Sequence, residues 1–379
     1  MPSKQTQRLG PLASLRVIEF TGLGPAPLAG QLLADLGADV IAIDRKSAAA
    51  DPTDINRRGK RSVAVNLKTL EGLEITQALI AQSDILIEGF RPGVMERLGL
   101  GPKDCPDQLI YGRMTGWGQT GPWSKVAGHD INYLAMTGAL HAMGPSDQPP
   151  PPPLNLVADF GGGSMFLIFG ILAAVIERQH SGKGQVVDAA MVDGVSAMMG
   201  LIHGMIAHGS WSPERSGNWL DGASHFYRCY ECADGKYMSV GALEPQFFAQ
   251  LLNTVELSED LRAVQFDADL WPKNTARLAE IFKKRSRDVW METFEGTDAC
   301  VAPVLNFSEA TLHPVNVSRS VFSETDNVWQ ARPAPRFSRS QVEDVKAPRA
   351  MGADTDTVLD ALGWSREAIG EMRAKGVLT

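Results

Sequence analysis

The chain has 379 residues, too many for one ordinary core of ~100 to 150 residues, so two domains are expected. Hydrophobic residues make up 44% and charged ones 21%, the balance of a globular chain. The formal net charge of −8 argues against a nucleic-acid binder, which needs a surplus of Lys and Arg, so any anionic ligand must meet a local basic cluster.

The opening residues Met1-Pro2-Ser3-Lys4-Gln5 lack the apolar stretch of a secretory signal, and Val377-Leu378-Thr379 is not a peroxisomal address. A cytoplasmic location is therefore the expectation. Apolar runs with strand character then alternate with helix-period segments. Strands are expected over 15–20, 39–43, 62–65, 84–87 and 109–111, and helices over 27–36 and 70–81. That alternation predicts parallel strands with crossover helices, a doubly wound α/β domain whose ligand lies at the carboxyl ends of the strands.

The prolines 149–153 break the pattern with a rigid extended segment that has no backbone donors. A helix over 163–179, a turn at 181–184, a strand over 185–190 and a helical stretch carrying Met191, Met198, Met199 and Met205 follow. The apolar run 165–176 is well short of the ~20 residues that span a bilayer, so it is expected as a buried helix and no membrane association is expected. Residues 210–224 read as a linker. The next unit, 225–320, has a hairpin over 226–232 and 236–240, helices over 246–255, 274–282 and 288–294, and a strand over 299–305. The large domain is thus expected over 1–209, with a return segment at 321–379, of which 330–379 completes it. Two helices, over 355–362 and 365–374, are expected near its end.

Four cysteines are too few for a disulfide scaffold. Cys229 and Cys232 have the spacing of half a zinc site, but no second Cys/His pair follows, so no metal is expected. Gly22-Leu23-Gly24 follows the first strand, and Asp44 stands where a dinucleotide fold keeps its ribose-binding acid. The third glycine is missing, and Pro25 and Pro27 remove donors that a pyrophosphate would use, so a nicotinamide or flavin site is disfavoured.

Basic residues gather near the same strand ends: Arg45, Arg57, Arg58, Lys60, Arg61, Lys68, Arg91 and Arg97. Such a cluster on an acidic chain fits a multiply phosphorylated nucleotide such as coenzyme A, with adenine against the backbone from Ala64 through Val65 and Asn66 to Leu67. A solvated charged rim fits it as well.

His129, in Gly128-His129-Asp130-Ile131-Asn132-Tyr133, and Asp159, in Asn155-Leu156-Val157-Ala158-Asp159-Phe160, each read as lying on a glycine-flanked turn between apolar segments. An imidazole and a carboxylate are what an enzyme needs to hold one base on each face of a carbon acid. From spacing alone, the histidine also fits a polar helix start and Asp159 a cap on the following helix.

The segments in order resemble the family III CoA-transferases, and within them the branch of racemases acting on 2-methylacyl-CoA. The resemblance runs through Gly22-Leu23-Gly24-Pro25, Leu33 to Val40, Ile43-Asp44-Arg45, Gly59-Lys60-Arg61-Ser62, Glu88 to Val94, Thr115-Gly116-Trp117-Gly118-Gln119, Gly128 to Tyr133, Asn155 to Gly163, Gly182 to Ala189, Val240 to Phe247 and Thr297 to Leu305. It implies a Rossmann-like large domain, a smaller α+β domain, and two copies interlocked as a homodimer.

It also implies the chemistry. Neutral His129 takes the α-proton of the S substrate while protonated Asp159 supplies one to the other face, and the roles exchange for the R substrate. The Asp130 N–H stabilises the enolate oxygen, and Glu244 reaches His129 from the small domain. CoA enters as part of the substrate, not as a cofactor, held by Arg45, Ala64, Val65, Asn66, Leu67, Lys68, Arg91, Arg97 and Gly128. Met191, Met198, Met199 and Met205 are core filler by default, or the apolar floor on which the acyl chain moves.

Two rivals remain. In the CoA-transferase branch the residue matching Asp159 is a nucleophile, and that branch does not need the histidine. A catalytically idle CoA-binding or assembly protein needs neither group. One departure concerns substrate choice: relatives carry Gly-Ala-Pro after the Asp-Gly entering the small domain, where this chain has Ala223-Ser224-His225. His225 reshapes the acyl pocket or sits at a surface turn, and the surface turn is the expectation. The acyl chain length is open.

Overall fold

A computed structural model describes residues 8–379; the reading of Met1 to Gln5 lies outside them. The described residues divide into two compact units, one of 8–137, 153–198 and 314–379, the other of 138–152 and 199–313.

In the first unit, strands β1 (Arg16–Phe20), β2 (Asp39–Asp44), β3 (Arg61–Ala64), β4 (Ile85–Glu88), β5 (Ile110–Thr115) and β6 (Val186–Ala190) form one parallel sheet in the order β3-β2-β1-β4-β5-β6. This is the doubly wound order, which reverses direction between β1 and β4. Near-continuous apolar runs are what a sheet covered on both faces requires, and β4 and β5 are buried throughout. The covering helices are α1 (Pro25–Asp35), α2 (Leu70–Ala81), α3 (Val94–Arg97), α4 (Asp130–Ala135), α5 (Phe166–Ser181) and α6 (Met191–Met198). Helix α1 opens on Pro25, whose missing N–H costs nothing in a first turn, and α2 on Thr69, whose hydroxyl accepts the Gly72 N–H at 3.1 Å.

The C-terminal segment builds into this unit. Val358, Leu359, Ile369, Val377 and Leu378 share a core with Ile41, Val63, Ile75 and Leu79. A hairpin of Phe322–Thr325 and Val328–Ala331, absent from the sequence reading, precedes it. It supplies Gln330 and the Ala331 carbonyl to the buried guanidinium of Arg58.

The second unit holds helix α7 (Gly200–His208) and an antiparallel sheet of β7 (Tyr227–Glu231), β8 (Tyr237–Gly241) and β9 (Val301–Pro303). Helices α8 (Pro245–Thr254), α9 (Trp271–Phe282) and α10 (Arg287–Phe294) accompany the sheet, and residues from β7, β8 and the three helices meet in an aromatic core where Tyr230 stacks on Phe282 at 5.0 Å. Cys229 is exposed and Cys232 buried. Residues 138–152 and 199–209, read from sequence with the large domain, sort with this unit. Main-chain carbonyls of Gly144 and Gln148 accept hydrogen bonds from Ser216 and Arg215, which ties the proline segment here. The stretch 210–224 is a folded turn system around buried Asn218, whose side chain bonds Ser212, Glu214 and Asp221.

One expectation is revised by length. A π-helix, Leu156–Met165, runs directly into α5, and the continuous 26-residue run 156–181 is long and apolar enough to cross a membrane. Its inner face puts Leu167 and Ile171 over Gly112 of β5, while Leu156, Met165, Phe169 and Ile176 are exposed.

Candidate active site

A cavity of about 590 Å³ opens in the first unit beyond the carboxyl ends of β1, β4, β5 and β6, where a doubly wound sheet places its ligand. Its wall is mostly apolar, with Pro25, Ala26, Phe90, Met114, Trp117 and Met191, and its polar groups include His129, Asp159, Asn155 and Arg91. A concave apolar pocket with few convergent polar groups is the usual form of a small-molecule site.

The turn after β4 is fixed by Glu88, a strand-end carboxylate buried to 1% exposure. It accepts the Phe90 N–H at 2.7 Å and Arg113 Nε at 2.8 Å, and burial pushes its pKa up. That turn carries Arg91 to the cavity.

His129 occupies the residue before α4, in extended conformation (φ −132°, ψ 174°), with its ring exposed on the cavity. It stands at the start of α4, the polar helix start that spacing alone also allowed, and not on a turn. Nor is Asp159 on a turn: it lies inside the π-helix, whose wide turns let Gly161, Gly162 and Gly163 continue a helix that the sequence reading starts only at 163. π-helical turns are rare and concentrate at functional sites. Close packing holds this one, since a Cβ on Gly194 of α6 would come within 2.0 Å of the Gly162 carbonyl oxygen. Ser164, fully buried, donates its hydroxyl to the Pro25 carbonyl at 2.8 Å.

Asp130 does more than begin α4. Its carboxylate Oδ2 accepts the N–H groups of Ala158 and Asp159, both at 2.8 Å. These amides belong to the first turn of the π-helix, where no intrahelical partner exists, so Asp130 caps that helix from a neighbouring element. This role of the side chain was not legible in the sequence.

Burial is the largest influence on the Asp159 carboxyl and holds its pKa above the ordinary carboxylate value; the Asp130 charge pushes the same way. A hydrogen bond from Asn155 and the charge of His129 act against them. Asn155, immediately before the π-helix and four residues before Asp159, had no sequence signal of its own, because the helix that brings it beside the carboxyl was not legible. The site therefore holds an imidazole and a carboxyl displaced toward its protonated form, two groups able to exchange protons with a bound ligand.

The basic cluster separates into two groups. Arg57 pairs with Asp44, Arg58 with Asp35, Lys60 with Glu19 and Arg61 with Asp39. Asp44, at the dinucleotide spacing, is buried and takes both Arg57 and the Ser62 hydroxyl, so its carboxylate is committed inside the protein rather than offered to a ribose. Arg45, Lys68, Arg91 and Arg97 are exposed and make no ion pair among the described residues. Of these, only Arg91 lines the cavity, as does Gly128.

Ala64 and Val65 are buried, and the backbone expected to meet adenine is engaged by the chain's own C-terminal segment. Ala64 N–H goes to the Thr355 hydroxyl, its carbonyl takes the Thr379 N–H, and Asn66 N–H bonds the Val377 carbonyl at 2.8 Å. Asn66 and Leu67 are half-buried and Lys68 is exposed.

Among the four methionines Met191 lines the cavity, Met198 lies beside Gly161, and Met199 and Met205 belong to the second unit. Glu244, also in the second unit, is exposed immediately before α8. His225 corrects the expectation of a surface turn. It is fully buried against Phe226 and Phe248, with ring centroids 5.3 and 5.2 Å away and no hydrogen-bond partner for either ring nitrogen among the described residues. Desolvation lowers its pKa to about 4.

The sequence profile of CoA-transferase family III matches residues 12–355. An alpha-methylacyl-CoA racemase of Mus musculus is 43% identical over 374 residues, covering 97% of each chain. The corresponding Homo sapiens protein is 39% identical over 373 residues, again 97% of each. The crystal structure of a CAIB/BAIF family protein from Brucella suis superposes with a TM-score of 0.78 at 27% identity, covering 94% of this chain and all of that one. The chain belongs to CoA-transferase family III.

Proposed function

We propose that the chain is a racemase that interconverts (R)- and (S)-2-methylacyl-CoA thioesters by proton transfer through an enolate. The observation that carries this reading is the sharing of one cavity by His129 and Asp159, with the Asp159 pKa raised by burial. Full-length similarity to two alpha-methylacyl-CoA racemases supports the substrate class.

The steps follow from the protonation states. Neutral His129 removes the α-proton of the S thioester, and the electron pair moves into the enolate. Protonated Asp159 then delivers its proton to the opposite face of Cα, leaving the R thioester. The Asp130 N–H, first in α4 and without an intrahelical partner, stabilises the enolate oxygen. The reverse reaction starts from Asp159 as carboxylate and His129 as imidazolium. We read no cofactor or metal into the reaction; CoA is the handle of the substrate, with Arg45, Lys68, Arg91 and Arg97 as its phosphate partners and the Ala64 to Leu67 segment at its adenine end.

The working form is a homodimer. The exposed stripe of Leu156, Met165, Phe169 and Ile176 is the apolar surface a second copy covers. In that dimer Glu244 of the partner subunit hydrogen-bonds the second ring nitrogen of His129, fixing its tautomer and raising its basicity.

Deuterium wash-in at Cα in D₂O, with no acceptor acid, tests the reading. Racemisation gives exchange from either stereoisomer; His129→Ala removes exchange from the S thioester, Asp159→Ala removes it from the R thioester, and each abolishes racemisation. A CoA-transferase gives no exchange and turns over only when a second carboxylic acid is added.

A further inference from the structure

One short helical turn grips the main chain of both proposed acid/base residues. The peptide between Gly128 and His129 has its two polar groups held by side chains of α4: the Tyr133 hydroxyl donates to the Gly128 carbonyl, and Asn132 Oδ1 accepts the His129 N–H at 3.1 Å. The first residue of the turn, Asp130, holds the other partner by accepting the amides of Ala158 and Asp159. The Tyr133 ring is itself fixed. It is 8% exposed, meets Trp117 edge-on at 4.8 Å, and fills the space over Gly116, where a Cβ would stand 1.9 Å from Tyr133 Cε1.

We propose that Asp130, Asn132 and Tyr133 are positioning residues that set the distance between the imidazole and the carboxyl across the substrate carbon. This rests on the racemase reading. None of the three side chains needs to touch substrate for this role; they determine the direction in which His129 and Asp159 leave their backbones. A rotation of the 128–129 peptide would turn the imidazole away from Cα, and release of the π-helix amides would let the carboxyl retreat. Reacting groups misplaced by ~1 Å lose about 10²-fold in rate.

Asp130 has a second effect, because its charge is among the groups that face Asp159. The others are His129 and Tyr133 around α4, Asn155 just before the π-helix, and Arg91 from the turn after β4, all of which line the same cavity. Asp130→Asn keeps an oxygen to accept the two amides and removes only the charge. It should therefore preserve most of the positioning while allowing Asp159 to ionise at lower pH.

The experiment measures α-proton exchange and racemisation across pH for the full chain and for Tyr133→Phe, Asn132→Leu, Asp130→Asn and Asp130→Ala, with a melting curve for each. Tyr133→Phe and Asn132→Leu are expected to lower kcat about 10- to 100-fold, with KM within about twofold. Asp130→Ala should lose more kcat than Asp130→Asn, and Asp130→Asn should move the Asp159 limb of the pH profile toward acid. Folded variants with unchanged kcat and unchanged pH limbs would overturn the assignment while the racemase reading stands. A wild-type enzyme that exchanges no α-proton would overturn both.

Discussion

The Asn155 side chain, just before the π-helix, hydrogen-bonds the carboxyl of Asp159 four residues further on, at the wall of the cavity that His129 also lines. The bond opposes the burial that raises the Asp159 pKa, so the two influences set how readily the carboxyl keeps its proton.

Asn155→Ala removes the opposing influence. The carboxylate loses a donor, its pKa rises further, and Asp159 stays protonated to higher pH. With the S substrate, where Asp159 must be the acid, the alkaline limb assigned to Asp159 is expected to move to higher pH, because the carboxylate has lost a donor that favours its charged form. Rates of racemisation between pH 5 and 10 check this. A downward shift, or none, would mean that Asn155 does not hold the charged form.

Gly194→Ala tests the packing that keeps Asp159 in place. The added methyl would meet the Gly162 carbonyl oxygen at 2.0 Å, a main-chain contact that no side-chain rotation relieves. The variant should lose about 1–3 kcal/mol of stability, the range for overpacking, and the π-helix should shift. Urea denaturation together with kcat reads the two effects. A fully active, equally stable variant would show that α6 does not set the π-helix register.

The limits of the sequence reading have the same physical origin. The six parallel strands were legible because each is a short apolar run bounded by turns, and that signal is local. The π-helix around Asp159 was not, since Gly161, Gly162 and Gly163 read as a break unless the close approach of Gly194 is known. His129 and Asp159 were identifiable as a pair by motif, whereas the Asp130 carboxylate reaches 28 and 29 positions along the chain to amides with no sequence signature. The charge run 57–61 could not be divided into ion pairs and ligand groups until Asp35, Asp39, Asp44 and Glu19 were placed beside it.

Lys60 and Glu19 form a pair that is nearly inaccessible, with Nζ 2.7 Å from Oε1 and 2.9 Å from the Pro27 carbonyl. Lys60→Met leaves an unpaired buried carboxylate and should cost about 3–5 kcal/mol. Burial already raises the Glu19 pKa. Without its lysine the group should ionise only at higher pH still, so the variant's deficit is small near pH 4.5 and grows as pH rises through that folded-state pKa. Lys60→Met combined with Glu19→Gln should recover much of the loss and remove the pH dependence. Equilibrium urea curves at pH 5 and pH 8 distinguish these outcomes; a deficit equal at both pH values would exclude Glu19 as its source.

His225 gives the second unit an acid-sensitive core. Its ring is buried against Phe226 and Phe248 without a hydrogen-bond partner among the described residues, and its pKa falls from 6.5 to about 4. Between those values the unfolded chain binds a proton that the folded one excludes, so stability rises with pH across the window. The contribution is fully present above pH 6.5 and is lost as pH falls toward 4, by roughly 3 kcal/mol. His225→Phe cannot take up that proton, but its larger ring must fit the same space; His225→Leu provides a smaller control. Both variants should show a flatter loss of stability between pH 6.5 and 4 than the wild type, whatever their absolute stability. Urea midpoints followed by tryptophan fluorescence measure the slope, and parallel slopes for all three proteins would show that His225 is not the source of the acid sensitivity.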